Sequence, residues 1–178
     1  MNDRKRALKT LKGSRQPLPF RMVNRPGTAA HRSDMQKHHL LPCQLLSRSA
    51  FERLVGHAGG RTQVMEDFRT NGLLLPANEA AASASGLPLH RGPHRHYNEL
   101  VAERVGSITD DWSNARLRHE AFAVQDALGR LRLLQGALRR KLLDTARPLI
   151  LNRKDPLGKG RDFSELDAMA DMLWAASG

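Results

Sequence analysis

The sequence predicts an α+β fold that is mostly helical, in the order β–α–β–α followed by a helical appendage. Three observations predict it. Two brief strand-like segments, Lys37–Leu41 and the apolar run Leu73–Leu75, are each closed by a proline. Between them, Leu45, Leu46, Phe51, Leu54 and Val55 fall at nearly helical spacing. From Trp112 to Leu142 apolar residues recur three and four apart, the repeat of one helix face.

Taken in order, residues 1–34 are a basic leader in which Arg4, Lys5, Arg6, Lys9, Lys12, Arg15, Arg21, Arg25 and Arg32 face only Asp3 and Asp34. Pro17, Pro19 and Pro26 interrupt it and no apolar period is sustained. It reads as a mobile arm able to track a phosphate backbone, or equally as a tail with no part in chemistry. Lys37-His38-His39-Leu40-Leu41 suits a short strand closed by Pro42, and the helix after it ends near Gly56 and Gly59-Gly60. Asn71-Gly72 is a turn that launches the strand Leu73–Leu75, which Pro76 ends.

Ala80–Gly86 is small and polar and reads as a loop. Pro93 fits the first turn of a helix whose face is Tyr97, Leu100, Val101 and Val105. Thr109 or Asp110 would cap the next helix, with Gly129 and Gly136 as candidate bends. Asn152–Arg161 reads as a basic loop, and Leu166, Met169, Ala170, Leu173 and Trp174 mark a final amphipathic helix. The chain thus divides into an arm over 1–34, a core over 35–106 and a helical C-terminal extension over 107–178, packed on or beside the core.

Twenty-nine Lys and Arg against eighteen Asp and Glu leave a net charge of +11, which favours a polyanionic partner, nucleic acid first. Aromatics are only 4 % of the chain, so phosphate contacts are expected over base stacking. The single cysteine, Cys43, excludes an intramolecular disulfide, and a small buried role suits it better than that of a metal ligand. No apolar run is long enough for a membrane helix or a secretory signal, so no membrane partner is expected. A protein kept in the cytoplasm and one delivered into a target cell without a classical signal peptide would share that feature.

Five of the eight histidines fall in two groups, His38-His39 and His90, His94 and His96. Adjacent residues on a strand point to opposite faces, so His38 and His39 cannot both serve one metal ion. One can bind metal while the other addresses a nearby water. His90 and His94, four apart, share a face if the helix begins at or before His90; otherwise His90 sits in the turn leading into it. Arg91 lies between them and suits either a bidentate phosphate clamp or a solvated capping role. His96 suits a surface position or an alternative ligand. Nothing is assigned to His31, His57 or His119.

The segments HHLLP (His38–Pro42), NGLLLP (Asn71–Pro76) and HRGPHRHYN (His90–Asn98) together resemble the three blocks of the AHH nucleases, of the HNH/endonuclease VII superfamily and common among bacterial polymorphic toxins. The resemblance covers about residues 36–105, and its third block fixes six residues in nine positions. Lys37 stands where the family has alanine before the pair, and Pro93 and Arg95 where serine and proline are expected. The resemblance implies a ββα-metal (HNH-like) core with additional C-terminal helices, and a metal-dependent endonuclease hydrolysing nucleic acid, DNA favoured over RNA. It implies that His38, His90 and His94 hold one divalent ion, with magnesium supporting activity and zinc also accepted by imidazoles. His39 would activate water, and the Asn71 side-chain carbonyl would orient His39, although an Asn-Gly pair is also a simple turn. A toxin or effector role, with a neutralising immunity protein as a possible partner, follows from the same likeness.

Two other readings remain open on the sequence. A zinc-stabilised module could bind nucleic acid without cutting it, but structural zinc sites prefer closed, cysteine-rich shells. A helical basic interaction protein with incidental histidines accounts for the C-terminal third but not for the three ordered blocks.

Overall fold

Two antiparallel strands and the long helix that follows them frame the structure, a computed structural model that describes residues 16–92, 94–151 and 155–158. Strand β1 (Met35–His39) pairs with β2 (Gly72–Pro76), setting Met35 opposite Pro76, His38 opposite Leu73 and His39 opposite Gly72. The chain between them forms a 3-10 turn (Cys43–Ser47) and helices α1 (Ser49–His57), α2 (Arg61–Val64) and α3 (Phe68–Asn71). After β2 come α4 (Glu79–Ser85), a loop carrying His90, α5 (Arg95–Leu142) and a 3-10 turn at Pro156–Gly158. The architecture is α+β and mostly helical, as the sequence predicts.

Two local expectations give way to capping chemistry. Residues 79–85 form a helix, not a loop, because Asn78 Oδ1 accepts the Ala81 amide at 2.9 Å and Gly86 ends the helix in the left-handed region at φ +68°. Thr109 and Asp110 cap nothing. They lie inside α5, where the Thr109 hydroxyl donates to the Gly106 carbonyl.

The long helix breaks at His119 (φ −147°, ψ 78°), and not at Gly129 or Gly136. A straight helix of this length would run about 70 Å and leave the domain. The break instead lays the second limb (120–142) back along the first (95–118). Arg130 therefore meets Asp111 at 2.7 Å, although nineteen residues separate them. Both limbs feed one core: Val101, Val105, Ile108 and Trp112 from the first, Ala123, Ala127, Leu131, Leu138 and Leu142 from the second. They pack with Leu40, Leu41, Leu45, Phe51, Leu54 and Leu75, and Leu151 joins them after α5. The core is continuous across the 106/107 division drawn from the sequence.

The described part of the basic leader is docked rather than free. Leu18 donates its amide to Asp67 Oδ1 at 2.9 Å and accepts that of Phe68 at 2.7 Å. The Asn24 side chain bonds the Arg32 amide and the Arg32 and Met35 carbonyls, closing a turn back into β1. These polar anchors have no periodicity, so charge and proline content dominate the sequence reading. Residues 1–15, most of the basic loop 152–161 and the final amphipathic helix lie outside the described residues.

Gly72 is required by close approach: a β-carbon there would strike the Phe68 ring. Gly72→Ala is therefore expected to cost about 1–3 kcal/mol in urea unfolding, the usual range for overpacking. An unchanged urea midpoint would show that the Phe68 ring is not held there.

Candidate metal centre

The β1 pleat decides which histidine turns inward. His38 alternates with His39 across the strand and is 3 % exposed. Its ring lies 5.0 Å from that of His90, 5.7 Å from that of His94 and 5.0 Å from that of Tyr97. The His90 and His94 rings are 4.6 Å apart. One nitrogen from each of His38, His90 and His94 lies within 4.8 Å of the other two. Small side-chain rotations would bring them to the roughly 3.3 Å that separates nitrogens sharing a tetrahedral ion at about 2.0–2.1 Å.

His90 and His94 reach this point from a loop and a helix start, not from one helix face. His90 donates its amide to the Pro76 carbonyl at the end of β2, 2.7 Å away, and its Nδ1 lies 3.1 Å from Gln36 Oε1. Gly92 turns the chain at φ +81°, a region that glycine enters without steric cost. His94 is then the residue before α5, and its carbonyl accepts the first helical bond, from Asn98. Of the two placements open on the sequence, His90 takes the turn leading into the helix, and it stays near His94.

Electrostatics keep the cluster neutral. Burial, reinforced by the neighbouring histidines, pushes His38 down to about 3. Burial and then His94 and His39 push His90 down to about 4. Burial also lowers His94, opposed by a hydrogen bond with the Leu151 backbone. At neutral pH the imidazoles therefore present lone pairs. His38 Nε2 and His94 Nδ1 are buried with no hydrogen-bond partner, a state that costs about 1–3 kcal/mol per group unless something binds there. Converging neutral nitrogens and two unpartnered buried atoms fit a divalent ion.

His39 occupies the other face of β1. Its ring stacks on Phe20 with centroids 3.8 Å apart and planes 5° from parallel, and Phe68 meets Phe20 edge-on at 5.0 Å. Burial and then the Lys37 charge lower its pKa. Its expected partner lies elsewhere. The fully buried Asn71 side chain accepts the Leu41 amide at 2.8 Å and Gln135 Nε2 at 3.2 Å, and donates to the Met65 and Leu41 carbonyls. Asn71 thus fixes the backbone just after the histidine pair, and Phe20 holds the His39 ring.

Arg91 is exposed in the loop between His90 and His94, and His96 is exposed on the first turn of α5. Tyr97 lies beneath His38 and donates its hydroxyl to the Leu40 carbonyl at 2.7 Å; burial pushes its phenol well above the ordinary range. Cys43 is exposed, not buried, because it opens the 3-10 turn where the chain leaves β1. Phe20 and Gln36 carry no motif, and sequence reasoning missed both.

Residues 20–135 match the AHH family, a nuclease family of the HNH/ENDO VII superfamily with conserved AHH. The chain belongs to the AHH nuclease family. No curated protein and no solved structure matches it. As an AHH nuclease it acts on nucleic acid, and it carries Lys37 where the family motif has alanine. The Lys37 ammonium reaches the Phe20 carbonyl at 3.2 Å, so this departure ties β1 to the residue stacked on His39. The match begins at Phe20 itself and crosses the divisions at 34/35 and 106/107.

The depressed histidines set a pH dependence. His38 and His90 titrate at about 3 and about 4 in the fold, against about 6.5 unfolded, so below that value the unfolded chain binds more protons. The metal-free AHH nuclease is therefore expected to hold full stability above pH of about 6.5 and to lose it progressively on acidification. The loss should already be visible between about pH 6.5 and 5, where ordinary carboxylates stay ionised. Thermal unfolding in chelator across that range checks this, and a flat profile would contradict neutral burial of the two imidazoles.

Proposed function

We propose that this AHH nuclease is a metal-dependent endonuclease that hydrolyses phosphodiester bonds, DNA in preference to RNA. His38, His90 and His94 would hold one divalent ion and His39 would act as general base. The observation that carries the reading is that His38, His90 and His94 each bring one nitrogen within 4.8 Å of the other two, while His38 and His94 each keep a buried nitrogen without a hydrogen-bond partner. The His39 ring lies on the other face of β1, stacked on Phe20, from where its nitrogens would address water.

Bound in this cluster, a divalent ion supplies Lewis acidity, countering charge that builds on the phosphate and the leaving 3′ oxygen. His39 takes a proton from the attacking water as the new P–O bond forms and the P–O3′ bond breaks. Phe20 keeps its imidazole plane fixed during that transfer. Arg91, exposed between His90 and His94, would clamp a phosphate oxygen. The net charge of +11 supports a long polyanion as substrate. Magnesium is the proposed ion for turnover, with zinc an alternative occupant of an all-imidazole set. The preference for DNA, a bacterial toxin or effector role, delivery into a target cell and neutralisation by an immunity protein rest on the likeness to toxin nucleases alone.

Supercoiled plasmid and a structured RNA, each incubated with and without chelator, test the activity. Cleavage of plasmid first, abolished by chelator and restored by magnesium, is expected; cleavage in excess chelator would remove the metal from the mechanism. His94→Ala should lose metal and activity together. His39→Ala should keep stoichiometric metal and cut about 10²–10⁴-fold more slowly, the usual worth of a general base. If His39→Ala cuts like the parent, the base is elsewhere.

The toxin reading has its own check. Expression inside a bacterium should arrest growth, and His39→Ala should relieve the arrest at equal protein level. Growth unaffected by the active parent would argue against a toxin.

A further inference from the structure

Asp155 is the only buried carboxylate among the described residues, 1 % exposed, and the chemistry above does not use it. A carboxylate taken out of water costs several kcal/mol unless its oxygens are satisfied. Both are. Oδ2 accepts the Leu89 amide at 2.8 Å and Oδ1 the Leu157 amide at 3.0 Å. Two backbone N–H groups, one from the loop before His90 and one from its own turn, thus satisfy both oxygens.

Leu89 directly precedes His90. The next amide, that of His90, donates to the Pro76 carbonyl at 2.7 Å. Two successive peptide groups are therefore pinned in different directions, one to β2 and one to Asp155. That fixes the backbone from which the His90 imidazole projects. The same segment reaches the other loop ligand, because Leu151 is buried in the core and its backbone hydrogen-bonds with His94. Both anchors lie beyond residue 135, where the family match ends.

We infer that Asp155 is a positioning residue of the metal centre, holding the His90 loop so that His38, His90 and His94 stand converged before an ion arrives. The inference rests on the metal-binding reading above. Groups that orient ligands in this way typically change metal affinity about 10–100-fold when removed.

The test is zinc affinity by chelator competition at neutral pH, on the full chain and well below its melting temperature. Asp155→Ala is expected to raise the zinc Kd about 10–100-fold. Asp155→Asn, which keeps one acceptor oxygen, should recover part of that loss. Leu54→Ala on α1, a core variant expected to lose about 2–5 kcal/mol of stability, should keep the parent Kd. An Asp155→Ala protein with the parent Kd would overturn the inference. So would an equal loss in Leu54→Ala, because Asp155 would then act only through general stability. A parent chain that binds no zinc overturns the metal reading and this inference with it, whereas a binding parent with indifferent Asp155 variants overturns the inference alone. Hydrogen exchange of the parent needs no variant: the Leu89 amide should be among the strongly protected ones, and rapid exchange there would contradict the clamp.

Discussion

Three imidazoles crowded into the interior do not hold themselves together. Each loses hydration, His90 and His94 disfavour a proton on His38, and two keep a buried nitrogen with no hydrogen bond. The cluster persists because the backbone around it is fixed from outside. His38 is placed by strand pairing to Leu73, His90 by bonds from its own and the preceding amide, and His94 by the start of α5. The free energy for this arrangement comes from the apolar core on which those elements rest, and the three imidazoles could hold a cation.

The fold-back of α5 at His119 gives the strands their outer support. On the returning limb, Gln135 donates to Asn71 Oδ1 and the Val64 carbonyl, and Arg139 donates to the Arg69 and Gly72 carbonyls. These two side chains, one helical turn apart, grip the Asn71-Gly72 junction at the base of β2. Gly72 faces His39 in the ladder and leaves room for Phe68, which edges the Phe20 ring stacked on His39. Helical residues far along the chain thus bear on the histidine proposed as the base.

What the sequence makes legible is local. The two strands, the inward turn of one histidine of the pair and the helical C-terminal third all follow from periodicity and turn residues. The convergence of His90 and His94 is legible only as proximity, because Gly92 delays the helix until Arg95. Asn71 reads as a turn residue because an Asn-Gly pair is spelled the same whether its amide meets water or four buried partners. Phe20 is one aromatic in a basic leader, with no period to reveal its stack on His39. Asp155 meets Leu89 across sixty-six residues, a pairing that no local pattern encodes. The helix at Glu79–Ser85 was within reach, since Asn78 and Gly86 are ordinary cap residues, but its alanine and serine content masks it.

The central claim is that His38, His90 and His94 make one ion site while His39 remains outside it. Anomalous diffraction from crystals grown with zinc tests it most directly. The account predicts a single strong peak about 2.0–2.1 Å from one nitrogen of each of the three histidines, with the His39 ring still stacked on Phe20 and not coordinated. A peak bound by His39 or His96 in place of any of the three, or none at the cluster in a protein that retains zinc, would contradict it.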